Sequence, residues 1–261
     1  MVSHKATAMI DICYQYMIGP AQWEEIRYSL RSVEKYFEDD YRIWFVGHQP
    51  QGTQNVYHLD HNRENPAHRR NDQLNKLMAA CNCDELSDDI IWMYDDQYLL
   101  KPTTANYMAQ PLAQARIKYR KPRAAGGLHG ARKWASFKAI AEAGREYVYD
   151  FETHLPRLFN RHLMKEALEL YRAKEKRRIP FTLYYNHYFE DDQIVLLNKQ
   201  DEYRAMFHRF DSHVEFLAND AKKTRDILDR KHYLNHNNRG LTDILKAEIM
   251  HRFPEPSRYE I

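Results

Sequence analysis

Asp89-Ile-Ile-Trp-Met-Tyr-Asp-Asp-Gln-Tyr-Leu-Leu100 begins with an unbroken apolar run, Ile90 to Met93, and is then interrupted by two adjacent carboxylates, Asp95 and Asp96. A short continuous apolar run of this kind reads as a central strand covered on both faces. Two carboxylates directly after it are costly to bury alone, so they must meet a cation, a basic side chain or solvent at the carboxyl edge of a sheet. That edge is where parallel α/β folds bind their ligands. Mg²⁺ or Mn²⁺ bridging the pair to a diphosphate suits hard oxygen ligands. A pair of solvated loop aspartates is the other reading of the same residues.

Working outward, Ala6 to Tyr14 is a second apolar run that reads as a buried first strand, followed by a loop at Gly19-Pro20. Trp23, Ile26, Leu30, Val33 and Phe37 then recur at three- and four-residue steps, predicting an amphipathic helix. Arg42 to Gly47 and Asn55 to Leu59 read as further strands, and Leu74, Leu77, Met78 and Cys81 share one face of another helix. Strand, helix, strand in this order gives right-handed crossovers and a mostly parallel sheet flanked by helices. Beyond Pro102 the pattern changes. Residues 116 to 133 are rich in Lys, Arg and Gly and read as a basic loop. A helix is predicted to restart at His154-Leu-Pro156, a mixed aromatic and acidic stretch follows over 181 to 198, and helices are expected around 219 to 231 and 241 to 252, giving a helical C-terminal part.

The composition bounds the function classes. With 43% hydrophobic and 29% charged residues in 261, the chain buries a core and is not a disordered tail. A net charge of +2 neither demands nor excludes a polyanionic partner. Cys13, Cys81 and Cys83 lack the spacing of a zinc knuckle and read as reduced thiols. Met1-Val-Ser-His-Lys-Ala lacks the apolar core of a secretory signal, and no apolar run approaches the roughly 18 residues of a membrane span, so the expected location is the cytoplasm, a host's cytoplasm if the source is viral.

Three segments resemble the Stealth family, which transfers sugar phosphates from nucleotide sugars. Glu25-Ile-Arg-Tyr-Ser-Leu-Arg-Ser-Val-Glu-Lys-Tyr-Phe37 is similar to its "LRYSLRS" helix, Leu86 to Leu100 to its "LS..F.Y.NDD.F" segment, and His154-Leu-Pro156 to its "H.P" motif. The resemblance implies a GT-A-like nucleotide-diphospho-sugar transferase fold over a single domain, residues 1–102 holding the nucleotide sugar and 103–261 the acceptor. It places the nucleotide, most readily a UDP-sugar, at the end of the first strand around Tyr14, and Mn²⁺ or Mg²⁺ on Asp95 and Asp96. Tyr94 stands where the family has Asn, and the family's opening acidic motif is missing, so plain glycosyl transfer is the broader expectation. In size and general pattern the chain is also similar to phage-type glycosyltransferases, including those associated with modification of DNA bases. A small, locally basic, cytosolic protein points to a hydroxymethylated pyrimidine in DNA as acceptor; a saccharide, with glycosyl or sugar-phosphate transfer, is the alternative.

Several further residues are candidates. Arg27 and Arg31 share a helix face and suit either a diphosphate or Glu neighbours. Arg70, Asn71 and Asp72 suit a sugar contact or a helix N-cap. His154 suits a third metal ligand or a general base, with Asp150 and Glu152 as competing bases. His187, Glu190, Asp191 and Asp192 form a reserve cluster. Arg120, Lys121, Arg123, Arg132 and Trp134 suit a nucleic-acid backbone or acceptor, and equally a solvated charged loop. The non-enzymatic alternative is a nucleic-acid-binding module whose Asp pair is structural.

Overall fold

The computed structural model describes residues 9–19, 23–61, 69–120, 127–197, 203–207 and 220–261, with the side chains of 69–71 excepted. A five-stranded sheet runs in the order β3-β2-β1-β4-β9, built from β1 (Ile10–Tyr16), β2 (Tyr41–Gly47), β3 (Tyr57–Asp60), β4 (Asp89–Met93) and β9 (Arg157–Asn160). The first four strands are parallel, and β9 closes the far edge antiparallel to β4.

Alternation along the strands explains both layers. Ile12, Tyr14, Ile43, Phe45, Ile91 and Met93 face α1 (Glu25–Tyr36), which presents Ile26, Leu30 and Val33. Cys13, Trp44, Val46, Ile90 and Trp92 face the other way and pack against α2 (Arg69–Cys81) through Leu74, Leu77 and Cys81. Because β4 is buried on both faces, its sequence carries no polar alternation.

The chain passes outward from β1 through β2 to β3, then returns through α2 to place β4 on the opposite side of β1. The strand order therefore reverses between β1 and β4, and this is where an open α/β sheet leaves a crevice at its carboxyl ends. Ser29 and Ser32, fully buried on α1, hold β5 (Gln97–Leu99): Ser29 Oγ donates to Gln97 O at 2.5 Å, and Ser32 Oγ accepts from Leu99 N at 3.0 Å. β5 in turn pairs antiparallel with β12 (Tyr233–His236), which lies parallel to β11 (Arg204–Phe207), while the short α3 (Ala105–Met108) leads into β6 (Leu112–Ala113), which pairs with β10 (Val195–Leu196).

The second half departs from the sequence expectation in three places. The basic stretch is not one loop: Ala115–Lys118 forms β7, paired with β8 (Tyr147–Asp150), and Gly127–Glu142 forms helix α4. His154 does not open a helix; a stretch without regular structure leads into β9, and α5 (Arg161–Leu170) starts only after it, with Asn160 as its N-cap. Residues 180–188, expected only as a mixed stretch, form α6 with Pro180 in its first turn. The C-terminal helices appear at Ala221–Arg230 and Asp243–Arg252. The two expected halves are interleaved, since β9 completes the first sheet and β12 pairs with β5.

Candidate active site

A cleft of about 420 Å³ opens at the carboxyl ends of β1 and β4, the point where the strand order reverses. β1 contributes Gln15, β4 and the turn after it contribute Trp92, Tyr94, Asp95 and Asp96, and α2 contributes Gln73, Leu74 and Leu77. The rest of the lining comes from the second half of the chain: His129 and Arg132 of α4, Glu152 and His154, Arg157 of β9, beside Trp92 of β4, and Ile179 to Phe181.

The Asp pair occupies the centre of a tight turn. Gln97 N donates to Tyr94 O at 3.2 Å, and Gln97 Oε1 accepts from Tyr94 N at 3.1 Å, so one buried side chain fixes the turn from within. Burial, and then the neighbouring charge of Asp95, hold the Asp96 carboxyl well above the usual carboxylate range. A cation between the two removes that repulsion. Among the described residues no three His, Cys, Asp or Glu side chains gather closely enough to share an ion, so the protein offers a two-carboxylate set. His154 lines the same cleft without completing a three-ligand site.

His154 is held with φ at 49°, a left-handed conformation that costs on the order of 1 kcal/mol or more for a residue with a side chain. Asn235, from β12, donates to its carbonyl. The imidazole meets solvent inside the cleft, yet the walls enclose it enough that burial, followed by the charges of Arg157, Arg204 and His129, lowers its pKa to about 4. It is therefore neutral at physiological pH. His129 Nε2 lies 3.8 Å from Glu152 Oε2, leaving Glu152 as a second proton acceptor in the cleft.

Other expected site residues are placed elsewhere. Tyr14 is fully buried, its hydroxyl bonded to Ser29 Oγ at 2.8 Å, and cannot stack on a nucleotide. Arg31 is spent on Glu260 in a two-pronged bond, 2.7 Å at each prong, and on the Phe253 and Pro254 carbonyls, which ties α1 to the C-terminal segment. Arg27 pairs with Glu24 at 3.1 Å. Asp72 sits inside α2 and not at its cap, with its carboxylate 3.1 Å from the buried Lys76 ammonium. Asp150 is buried and bonded to Lys133, to Gln114 Nε2 and to the Glu152 amide, so it is not an available base.

Trp134 packs edge-on to Phe137, with Tyr119 beside it, and its ring belongs to the core margin. Arg120 is exposed and Arg132 lines the cleft. Lys121 and Arg123, and the side chains of Arg70 and Asn71, lie outside the described residues. Of the reserve cluster, His187 bonds Tyr171 and Asp191 bonds Arg145 and Arg116, a structural knot away from the cleft.

Sequence reasoning missed Gln97, Ser29, Ser32, Lys76 and Arg157. The two serines carry a visible signal, since they stand three apart among the apolar residues of α1. Lys76 and Arg157 carry none, because a buried cation looks like a surface one in sequence. Lys76 Nζ donates to Tyr16 O at 3.0 Å and so clamps the carboxyl end of β1 beside the cleft.

No protein-family model matches the chain, and no curated protein matches it. Solved structures do. The chain is similar to the galactosyltransferase LgtC in complex with donor and acceptor sugar analogues, at 10% identity and a TM-score of 0.46, over 95% of this chain and 98% of that one. An active-site variant of LgtC matches at 12% identity and a TM-score of 0.46, with the same coverage. The apo form of glycosyltransferase GlyE from Streptococcus pneumoniae TIGR4 matches at 10% identity and a TM-score of 0.42, over 96% of this chain and 66% of that one.

Proposed function

We propose that this protein is a glycosyltransferase that moves a sugar from a nucleotide-sugar donor, a UDP-sugar first among them, to an acceptor hydroxyl in the cleft. The observation that carries the reading is the Asp95-Asp96 turn at the strand-order reversal: two carboxylates in mutual repulsion, one of them desolvated, facing a cleft large enough for a sugar. Asp95 and Asp96 are the residues that would hold Mn²⁺ or Mg²⁺, with the remaining ligands from water and diphosphate oxygens, as such hard cations require. The bound cation supplies charge neutralisation to the departing nucleoside diphosphate. Glu152 and the neutral His154 are the groups in the cleft able to take the acceptor's proton.

A saccharide hydroxyl is the acceptor we favour over a hydroxymethylated pyrimidine of DNA. The described parts of the basic stretch that motivated DNA fold into β7 and α4. There Arg116 pairs with Asp191 at 3.1 Å and Lys118 with Glu146 at 3.0 Å, and Trp134 packs at the core margin, which spends groups that a nucleic acid would need.

The test is the thermal midpoint of the purified protein with Mn²⁺ and UDP, with and without EDTA, for the wild type and for Asp95→Asn with Asp96→Asn. The expected result is a metal-dependent rise that the double variant abolishes. A wild type that shows no shift with Mn²⁺ and UDP, or a double variant that keeps it, removes the reading.

A further inference from the structure

Buried or half-buried arginines in this protein generally meet a carboxylate. Arg31 pairs with Glu260, Arg42 with Asp11, Arg145 with Asp191, and Arg161 lies within 4 Å of Asp84 and Asp88. Arg157 is 8% exposed, and among the described residues no carboxylate lies within 4 Å of its guanidinium. Its Nη2 alone makes hydrogen bonds, to the Phe151 carbonyl and to Thr153 Oγ1 at 3.0 Å, and its guanidinium carbon lies 4.3 Å from the centre of the Phe181 ring. Those contacts orient the group without neutralising it. The side chain lines the cleft, and a largely desolvated charge in that position is stabilised by an anion beside it.

Arg132 and His129 line the same cleft from α4. Arg132 is positioned by its Nε–H bond to the Arg177 carbonyl at 2.7 Å. The cleft thus carries both signs, with Asp95 and Asp96 in the turn after β4 and a cationic fork from β9, supported by cations of α4. A planar, pre-oriented guanidinium takes phosphate or carboxylate oxygens with geometric specificity.

We propose that Arg157, assisted by Arg132 and His129, forms an anion subsite that holds the charged substituent of the acceptor, which is therefore a saccharide bearing a phosphate or a carboxylate. Naming the ligand as the acceptor rests on the transferase reading; the anion subsite does not. In this arrangement the acceptor is held by its charge at Arg157 while the donor diphosphate is held through the cation at Asp95 and Asp96.

The experiment titrates inorganic phosphate into the protein at constant ionic strength in EDTA and reads thermal midpoint and calorimetric heat, then repeats it with glucose 6-phosphate, glucuronate and neutral glucose. Phosphate is expected to bind saturably without metal, to bind equally in Asp95→Asn/Asp96→Asn, and to lose at least tenfold in affinity in Arg157→Gln. Preference for glucose 6-phosphate or for glucuronate, with glucose silent, identifies the anion. Arg157 also orders the Phe151 and Thr153 backbone, so Arg157→Lys, which keeps the charge and loses the fork, and Arg132→Gln are run alongside; both are expected to weaken binding severalfold in a folded protein.

No saturable phosphate binding, or binding unchanged in all three variants, overturns the proposal. Loss of phosphate binding when Mg²⁺ and UDP saturate the protein overturns the acceptor assignment, because the site is then the donor's own. Displacement of phosphate by a single-stranded oligonucleotide but by none of the charged sugars overturns the saccharide. Phosphate binding that depends on Arg157 in a protein blind to Mn²⁺ and UDP leaves the subsite standing and removes the transferase.

Discussion

Gly47→Ala is expected to loosen the carboxyl end of β1 and to lower the melting midpoint. Gly47 ends β2 with φ at +112°, and a methyl group built there would stand 2.5 Å from Tyr16 O and 2.7 Å from Lys76 Nζ. The carbonyl cannot move aside, because it accepts from Lys76 Nζ at 3.0 Å and from His48 N at 3.3 Å. The backbone conformation alone costs about 1–3 kcal/mol for a residue with a side chain. Pushing the buried ammonium off Tyr16 O leaves it with Asp72 alone, and a disturbed buried pair costs more than that. The total is at least about 3 kcal/mol, which at about 2–4 °C per kcal/mol for a chain of this size lowers the midpoint by about 6–12 °C. Scanning calorimetry reads the midpoint directly. Combining Gly47→Ala with Lys76→Met should cost less than the sum of the two, since both act on one buried contact. A Gly47→Ala protein melting within about 2 °C of wild type would refute the clamp.

Three other outcomes follow from the site and its supports. The Asp96 carboxyl is raised in the folded protein, so its contribution to stability is full below the unfolded carboxylate pKa and is lost as pH rises through the folded value; Asp96→Asn should therefore raise the metal-free midpoint at pH 7 while abolishing any gain from Mn²⁺, and a lower midpoint would contradict this. The His154 imidazole should titrate by NMR near pH 4 and move upward in Arg157→Gln without reaching 6.5, because burial is the larger cause; an inflection above 6 in the wild type would show the cleft to be wetter and less positive than described. Arg31→Ala should cost up to about 3 kcal/mol by leaving Glu260 with the Ser257 hydrogen bonds and Arg27 at 4.0 Å, yet leave the Mn²⁺- and UDP-dependent shift intact, and loss of that shift would return Arg31 to the binding site.

The first half of the fold was legible because its strands are unbroken apolar runs and its helices carry a clear apolar stripe, as in Ile90 to Met93 and in Ile26, Leu30 and Val33. The second half was not, and the reasons are local. Helix α4 buries only Ser136, Phe137, Ala139 and Ile140 among its described side chains, and its glycines and cations mimic a loop. β9 is four residues long and is defined by its partner β4, which no local pattern records. The Asp pair was found from its place after a buried strand. Arg157 was invisible because what distinguishes it is the lack of a carboxylate within reach among the described residues, a property of three dimensions. Tyr14, Arg31 and Asp150 were misread for the complementary reason: each has the right chemistry and a partner that consumes it.

The antiparallel closure of the sheet also sets a timetable for the nascent chain. Ile91 of β4 pairs with Leu158 of β9, so one edge of the central strand stays open until roughly 70 more residues have been made, several seconds at ordinary rates of synthesis. During that interval the strand that delivers Asp95 and Asp96 presents unpaired amides and carbonyls on an apolar backbone, the kind of edge that recruits strands from other chains. Any slowing of translation between β5 and β9 lengthens the exposure. Recovery of folded protein from cells should therefore respond to elongation rate across this stretch, even where the finished protein is stable.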